Sequence, residues 1–197
     1  VTTEPRISLL APDAARAAAA TAGVPDVVAD LNVFRVWLHH PKLARWLSEL
    51  LMGLLWESRL DARLRELAIM RIGWVTGSDY EWTQHWRIAL GLGIDDADLL
   101  GVRNWSHHRG FGPAERAVLA ATDETIATGS LSDETWEACT LHVSDDPQIL
   151  LELISAIGLW HMISGILRTL AVPLEDSVAS WPPDGPAPDG SRPKAGP

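Results

Sequence analysis

The sequence predicts an all-α fold. Apolar residues recur at three- and four-residue spacing through most of the chain, and no stretch alternates apolar with polar as a half-buried strand would. Glycine and proline fall between the periodic segments, where helices stop and start. With 197 residues, 47% hydrophobic and 21% charged, the chain suits one globular core with little left over. The expected architecture is an orthogonal or up-down bundle of about eight helices. One domain is expected over 1–172, followed by a Pro/Gly-rich flexible tail over 173–197.

An alanine-rich first helix is expected over Pro12–Ala22. Pro25 opens the next, "PDVVADLNVFRVWLHH", with Val28, Leu31, Phe34 and Leu38 at helical spacing. Pro41 interrupts it and begins a third element over about Lys42–Trp56. The helix in "DARLRELAIMRIGWVTG" stops at Gly77. Another runs from Ser78 to about Leu92, and "IDDADLLGV" makes a short one. "NWSHHRGFGP" reads as an irregular loop. Pro113 opens a helix that ends at Gly129. Ser132 is placed to cap "DETWEACTLHV", and Ser144 to cap the last helix, which ends before Pro173. In the tail, "PPDGPAPDGSRPKAGP" cannot build a core, although Trp181 suggests one anchoring contact.

Several function classes are disfavoured. A net charge of −10 repels nucleic acid and anionic membranes, and the arginines of "ESRLDARLREL" are interleaved with acids. Cys139 is the single cysteine, so no internal disulfide or CxxC pair exists; it reads as a small buried hydrophobe. The opening "VTTEPRISLL" lacks the basic start of a signal peptide, and the expected compartment is the cytoplasm. "LLELISAIGLWHMISGILRTLAV" reads as a buried core helix rather than a membrane span. The ten tryptophans, scattered from 37 to 181, suggest deep pockets or buried interfaces.

The stretch "GSDYEWTQH", residues 77–85, has two readings. In one, Ser78 and Glu81 form a capping box: the serine accepts from the Glu81 amide and the carboxylate reaches back. In the other, Glu81 and His85, four apart on one helix face, form a proton-transferring pair. Trp82 and Trp86 would then wall off water. A neighbouring carboxylate raises the histidine's pKa, and burial raises the carboxylate's.

The segment "RLRELAIMRIGWVTGSDYEWTQHWRIALGLG", within a core motif spanning 61–93, resembles the carboxymuconolactone decarboxylase superfamily, whose redox branch is AhpD-like. The amino-terminal extension over 8–56, with His40-Pro41 before a Trp- and Leu-rich helix, is similar to a longer subgroup. The resemblance places the redox branch's relay glutamate at Glu66, its two cysteines at Ser78 and Glu81, and its histidine at His85. Serine and glutamate cannot cycle through a disulfide, so thiol peroxidase chemistry is not expected. The decarboxylating branch implies proton transfer by histidine and carboxylates, with no metal or organic cofactor. The superfamily further implies a homo-oligomer: a dimer, trimer or hexamer.

The expected catalytic residues are therefore His85 as general acid/base, Glu81 as its partner or as proton carrier, and Glu66 as relay. Candidate pocket residues are His161, Tyr80, Ser78, Arg71, Trp82, Trp86 and His40. Tyr80 has a phenol able to donate to an enolate. His161 sits mid-helix in the most apolar segment and calls for a partner. His107 and His108 read as solvated. An acidic substrate would require Arg71 or Arg87 to face the site; otherwise an uncharged apolar substrate is expected. Two functions follow: a cofactor-independent enzyme that decarboxylates, isomerises or eliminates a small organic acid, carbonyl or lactone compound, or a non-catalytic oligomeric scaffold or small-molecule binder.

Overall fold

The computed structural model describes residues 4–185, 187 and 188. Among these there are ten α-helices and no strand. Helix α1 is Pro12–Ala22, α2 Asp26–Ala29, α3 Asn32–Trp37, α4 Pro41–Met52, α5 Ala62–Thr76 and α6 Asp79–Gly91. Then come α7 Asp96–Gly101, α8 Pro113–Thr128, α9 Asp133–His142 and α10 Pro147–Leu170. A π-helical turn, Gly53–Glu57, follows α4, and a 3₁₀ turn, Val102–His107, occupies the front of the expected loop.

The single helix expected after Pro25 is broken in two. Leu31 is extended (φ −68°, ψ 135°), and the Asn32 amide donates to Oε1 of Glu175 at 2.9 Å instead of continuing a helix. The Asn32 side chain donates to the carbonyls of Pro173 and Leu174 at 3.2 and 3.1 Å. This break supplies one of the helices beyond the expected eight.

Helix α5 is the axis of the molecule. Asp61 caps it, accepting from the Leu64 amide at 3.0 Å. Gly77 ends it in the left-handed region at φ 69°, a conformation that costs a side chain about 1–2 kcal/mol. The helix is buried on nearly every side, packed against α6, α8 and α10. Leu64, Ala68, Ile69 and Ile72 face the main core. Leu67 and Met70 face a second core with Trp82, Trp86, Leu99 and Trp181. At Gly73 a Cβ would lie 3.0 Å from the Trp82 nitrogen and 3.2 Å from its Cα. Glycine thus lets α6 approach α5 backbone to backbone.

Two expected caps are replaced. Ser78 makes no side-chain cap bond, and its Oγ is buried with no partner among the described residues. At α10 the cap is Asp146, which accepts from the Gln148 amide at 2.9 Å; Ser144 accepts from the Asp146 amide instead. Ser132 caps α9 as expected. Among the described residues α10 is the one helix apolar and long enough to cross a membrane; it buries Leu153, Ile157, Trp160 and Leu167 in the main core.

Over 173–185 the expected flexible tail is a docked strap along α6. Trp181 is 9% exposed, in the second core. Its amide donates to Asp79 at 3.1 Å, the Trp82 indole donates to the Pro182 carbonyl at 2.8 Å, and Arg103 grips Asp184 with both terminal nitrogens. The buried indole supplies the apolar area that a Pro/Gly-rich composition conceals. Residues 186 and 189–197 of the expected tail lie outside the described residues.

Candidate active site

Because α5 and α6 pack so closely, Glu66, just over one turn into α5, faces His85 in the middle of α6. The distance from His85 Nδ1 to Glu66 Oε2 is 2.7 Å. Arg65 donates to the other Glu66 oxygen at 3.2 Å, and Arg65 and Glu66 are 3% and 0% exposed. On the far side of the imidazole, the Trp160 indole donates to Nε2 at 2.9 Å. An indole N–H cannot accept, so Nε2 is the bare nitrogen and Nδ1–H donates to Glu66. The hydrogen-bond network thereby assigns the tautomer.

Glu81 stands beside this line, with Oε2 3.5 Å from His85 Nε2. Burial raises its pKa to about 7, with His85 lowering it and Glu66 raising it. For His85 burial favours the neutral ring, but the charge and hydrogen bond of Glu66, with the charge of Glu81, outweigh it and raise its pKa. Burial thus carries Glu81 toward neutrality, and Glu66 carries His85 above its ordinary value.

Glu81 and His85 form the polar floor of a cavity of about 240 Å³. Its walls are otherwise largely apolar: Phe34 and Trp37 from α3, Leu51 from α4, Ile88 from α6, and Trp160 and Ile163 from α10. Val27 and Trp56, also in the lining, are 81% and 66% exposed and mark a mouth to solvent. Glu66 lies behind His85, outside the lining.

The remaining sequence candidates are distributed differently. Tyr80 lines the cavity, but its hydroxyl donates to Glu175 at 2.5 Å and accepts from the Val33 amide at 3.3 Å. Burial, then Glu175, raises its pKa, so the phenol is committed rather than free to serve an enolate. Ser78 is buried outside the lining. Arg71 is bidentate to Asp123 at 2.7 and 2.9 Å and donates to the carbonyls of Val102 and Arg103. Arg87 also lies outside the lining, beside the strap. Trp82 and Trp86 stack in the second core at 5.9 Å between centroids and do not enclose His85. His161 is half-buried and off the cavity; one residue earlier, Trp160 takes the inward position. His40 caps α4, accepting from the Leu43 amide at 3.1 Å, and lines a separate apolar groove. His108, expected in solvent, pairs with Asp98 at 2.7 Å.

Sequence reasoning missed Trp160, Arg65, Gln84 and Glu175. Arg65 adjoins Glu66 and Gln84 adjoins His85, but nothing in the spacing aims either. Trp160 carried one usable signal: a buried indole N–H requires an acceptor. Cys139 is fully buried under α8, with burial lifting its thiol to about 11.

The family model described as "Carboxymuconolactone decarboxylase family" matches residues 41–124. No curated protein matches the sequence. Among solved structures, an uncharacterised peroxidase-related protein with an AhpD core from Ralstonia eutropha JMP134 aligns with a TM-score of 0.70 at 15% identity, over 89% of this chain and 95% of that one. A protein of unknown function from Agrobacterium tumefaciens, described as a putative antioxidant defence protein AhpD, aligns at 0.64 and 18% identity, over 71% of this chain and 94% of that one. A variant of the debrominase Bmp8 in complex with 2,3,4-tribromopyrrole aligns at 0.63 and 15% identity, over 83% and 84%. At these identities the likeness is one of fold.

Proposed function

We propose that the chain, whose residues 41–124 match the carboxymuconolactone decarboxylase family model, is a cofactor-independent acid/base enzyme acting on a small, uncharged carbonyl or lactone compound. The observation that carries this reading is the placement of Glu81 and His85, side by side, on the floor of an otherwise apolar cavity. A carboxyl group with a pKa near 7 is poised both to take and to return a proton at neutral pH.

The division of labour differs from the sequence expectation. Both ring nitrogens of His85 are engaged, by Glu66 and Trp160, whereas Glu81 faces the cavity. Glu81 is therefore the group that removes a proton next to the carbonyl and returns it at a neighbouring carbon. His85, fixed by Glu66 and Trp160, lies beside Glu81 and lowers its pKa, which favours the carboxylate that accepts the proton. Among the described residues no arginine lines the cavity, which favours an uncharged substrate over an organic acid, and isomerisation or elimination over decarboxylation. Bmp8, a debrominase bound to a small brominated ring on the same fold, fits a small apolar ligand. The alternative of a non-catalytic scaffold expects Glu81 to cap α6 and Trp82 and Trp86 to seal His85; neither holds. Thiol peroxidase chemistry has no support, with Ser78 and Glu81 where cysteines would stand and Cys139 buried.

The test is deuterium incorporation from D₂O into cyclohexanone, acetophenone and γ-butyrolactone, followed by NMR. The native protein is expected to speed exchange of the protons next to the carbonyl, increasingly as pH rises through about 7. Glu81→Gln is expected to lose about 10²-fold or more, and His85→Gln to fall with it while folding and assembly size are kept. Full exchange by Glu81→Gln would refute the assignment.

A further inference from the structure

The strap does more than cover α6. Its Glu175 carboxylate gathers three donors from two different walls of the cavity. Tyr80 Oη donates to Oε1 at 2.5 Å, and the Gln84 amide nitrogen donates to Oε2; both side chains line the cavity from α6. The third donor is the backbone amide of Asn32, at the start of α3. The next amide, Val33, donates to the Tyr80 hydroxyl. Asn32 and Val33 begin the segment that supplies Val33, Phe34 and Trp37 to the opposite wall.

From this convergence we propose that Glu175 is a positioning residue that sets the width and polarity of the cavity. Residue 175 lies beyond the family-matched segment, and the inference rests on the reading that this cavity is the substrate site. A carboxylate has only acceptor sites and can serve three donors at once. It also fixes the orientation of Gln84: the amide nitrogen faces Glu175, which leaves the amide oxygen free to accept. Gln84 lines the cavity, so holding it fixes part of the α6 wall. An alanine at 175 removes both oxygens, so Tyr80, Gln84 and the Asn32 amide lose their common acceptor and the two walls are no longer tied together.

The backbone around the strap agrees with a segment held in place. Ala171, Ser177 and Trp181 adopt φ values of 52°, 67° and 51°, each costing about 1–2 kcal/mol for a residue with a side chain. Docking of Trp181, the Asp79 contacts and the Arg103–Asp184 pair hold the chain in that path.

The experiment uses the full chain with xenon as a probe, because xenon enters apolar cavities without needing a matching functional group. Xenon-induced shifts are read by NMR at the cavity residues Ile88 and Trp160, and amide hydrogen exchange is followed at Asn32 and Val33. Glu175→Ala is expected to reduce the xenon shifts by about half or more and to speed both amides by at least about tenfold, with exchange at Ile69 in the core of α5 unchanged. Tyr80→Phe, which keeps the ring, is expected to speed Val33 alone. Asp184→Asn, which loosens the strap's surface pair, is expected to leave the xenon shifts within about twofold of native. Native-like xenon shifts and amide exchange in Glu175→Ala would overturn the proposal. None of these readouts depends on turnover, so the proposal is separable from the assigned chemistry.

Discussion

Glu81 lies in the first turn of α6, where a carboxylate ordinarily gains from the helix dipole, yet its pKa is pushed up to about 7. Burial at 5% exposure outweighs the dipole because the dipole acts on a group that has lost its water. The native state therefore keeps a proton that the unfolded chain, with a normal value of 4.5, has already released. Stability attributable to Glu81 is full below pH 4.5 and declines as pH rises through about 7, by about 3 kcal/mol at the top of the window. His85 acts in the same direction: its raised pKa stabilises below its usual 6.5, and this is lost as pH rises through the native value. Glu81→Gln is expected to flatten the fall in urea midpoint between pH 5 and pH 8. An unchanged slope would show that Glu81 is ionised throughout that range. The grouping of Glu66, Glu81 and His85 was legible from spacing and family likeness, and the three side chains do meet. How the His85 ring is held was not, because that depends on Trp160, 75 positions beyond it.

Helix boundaries were legible where a cap is local. Gly77, Gly129 and Ser132 act within a few residues of sequence, and the observed ends follow them. The capping box at Ser78 failed because a long-range demand claimed its partner: Glu81 turns to the cavity, and the serine hydroxyl is left buried and unpaired. A true cap loses about 1 kcal/mol on substitution by alanine. Here an unsatisfied buried hydroxyl is removed instead, so Ser78→Ala is expected to be neutral or stabilising in thermal denaturation. A loss of about 1 kcal/mol or more would restore the cap. The break between α2 and α3 has a similar origin, since Glu175, 143 residues later, takes the Asn32 amide.

For the molecule as a whole, the strap joins the two cores. Trp181 completes the second core with Trp74, Trp82 and Trp86, while Glu175 reaches the cavity beside the first. Trp181→Ala removes the largest apolar contact of the strap and is expected to cost about 3–5 kcal/mol of strap docking. Limited proteolysis is the measurement: new cleavage between residues 173 and 184 is expected, with α5 and α10 still protected. Resistance equal to the native chain would mean that the polar clasps alone hold the strap.

The sequence by itself determined the helical class, most helix limits, the family likeness and the group Glu66–Glu81–His85, because periodicity, caps and motif spacing are written within one or two turns of chain. The tertiary structure decided which face of each helix meets another. It turned Trp160 rather than His161 inward, tied Arg71 to Asp123, left Ser78 unpaired, and docked a Pro/Gly-rich tail against α6. The physical reason is that a buried polar group takes the best partner within reach in space, and the separation of partners along the chain does not limit that choice.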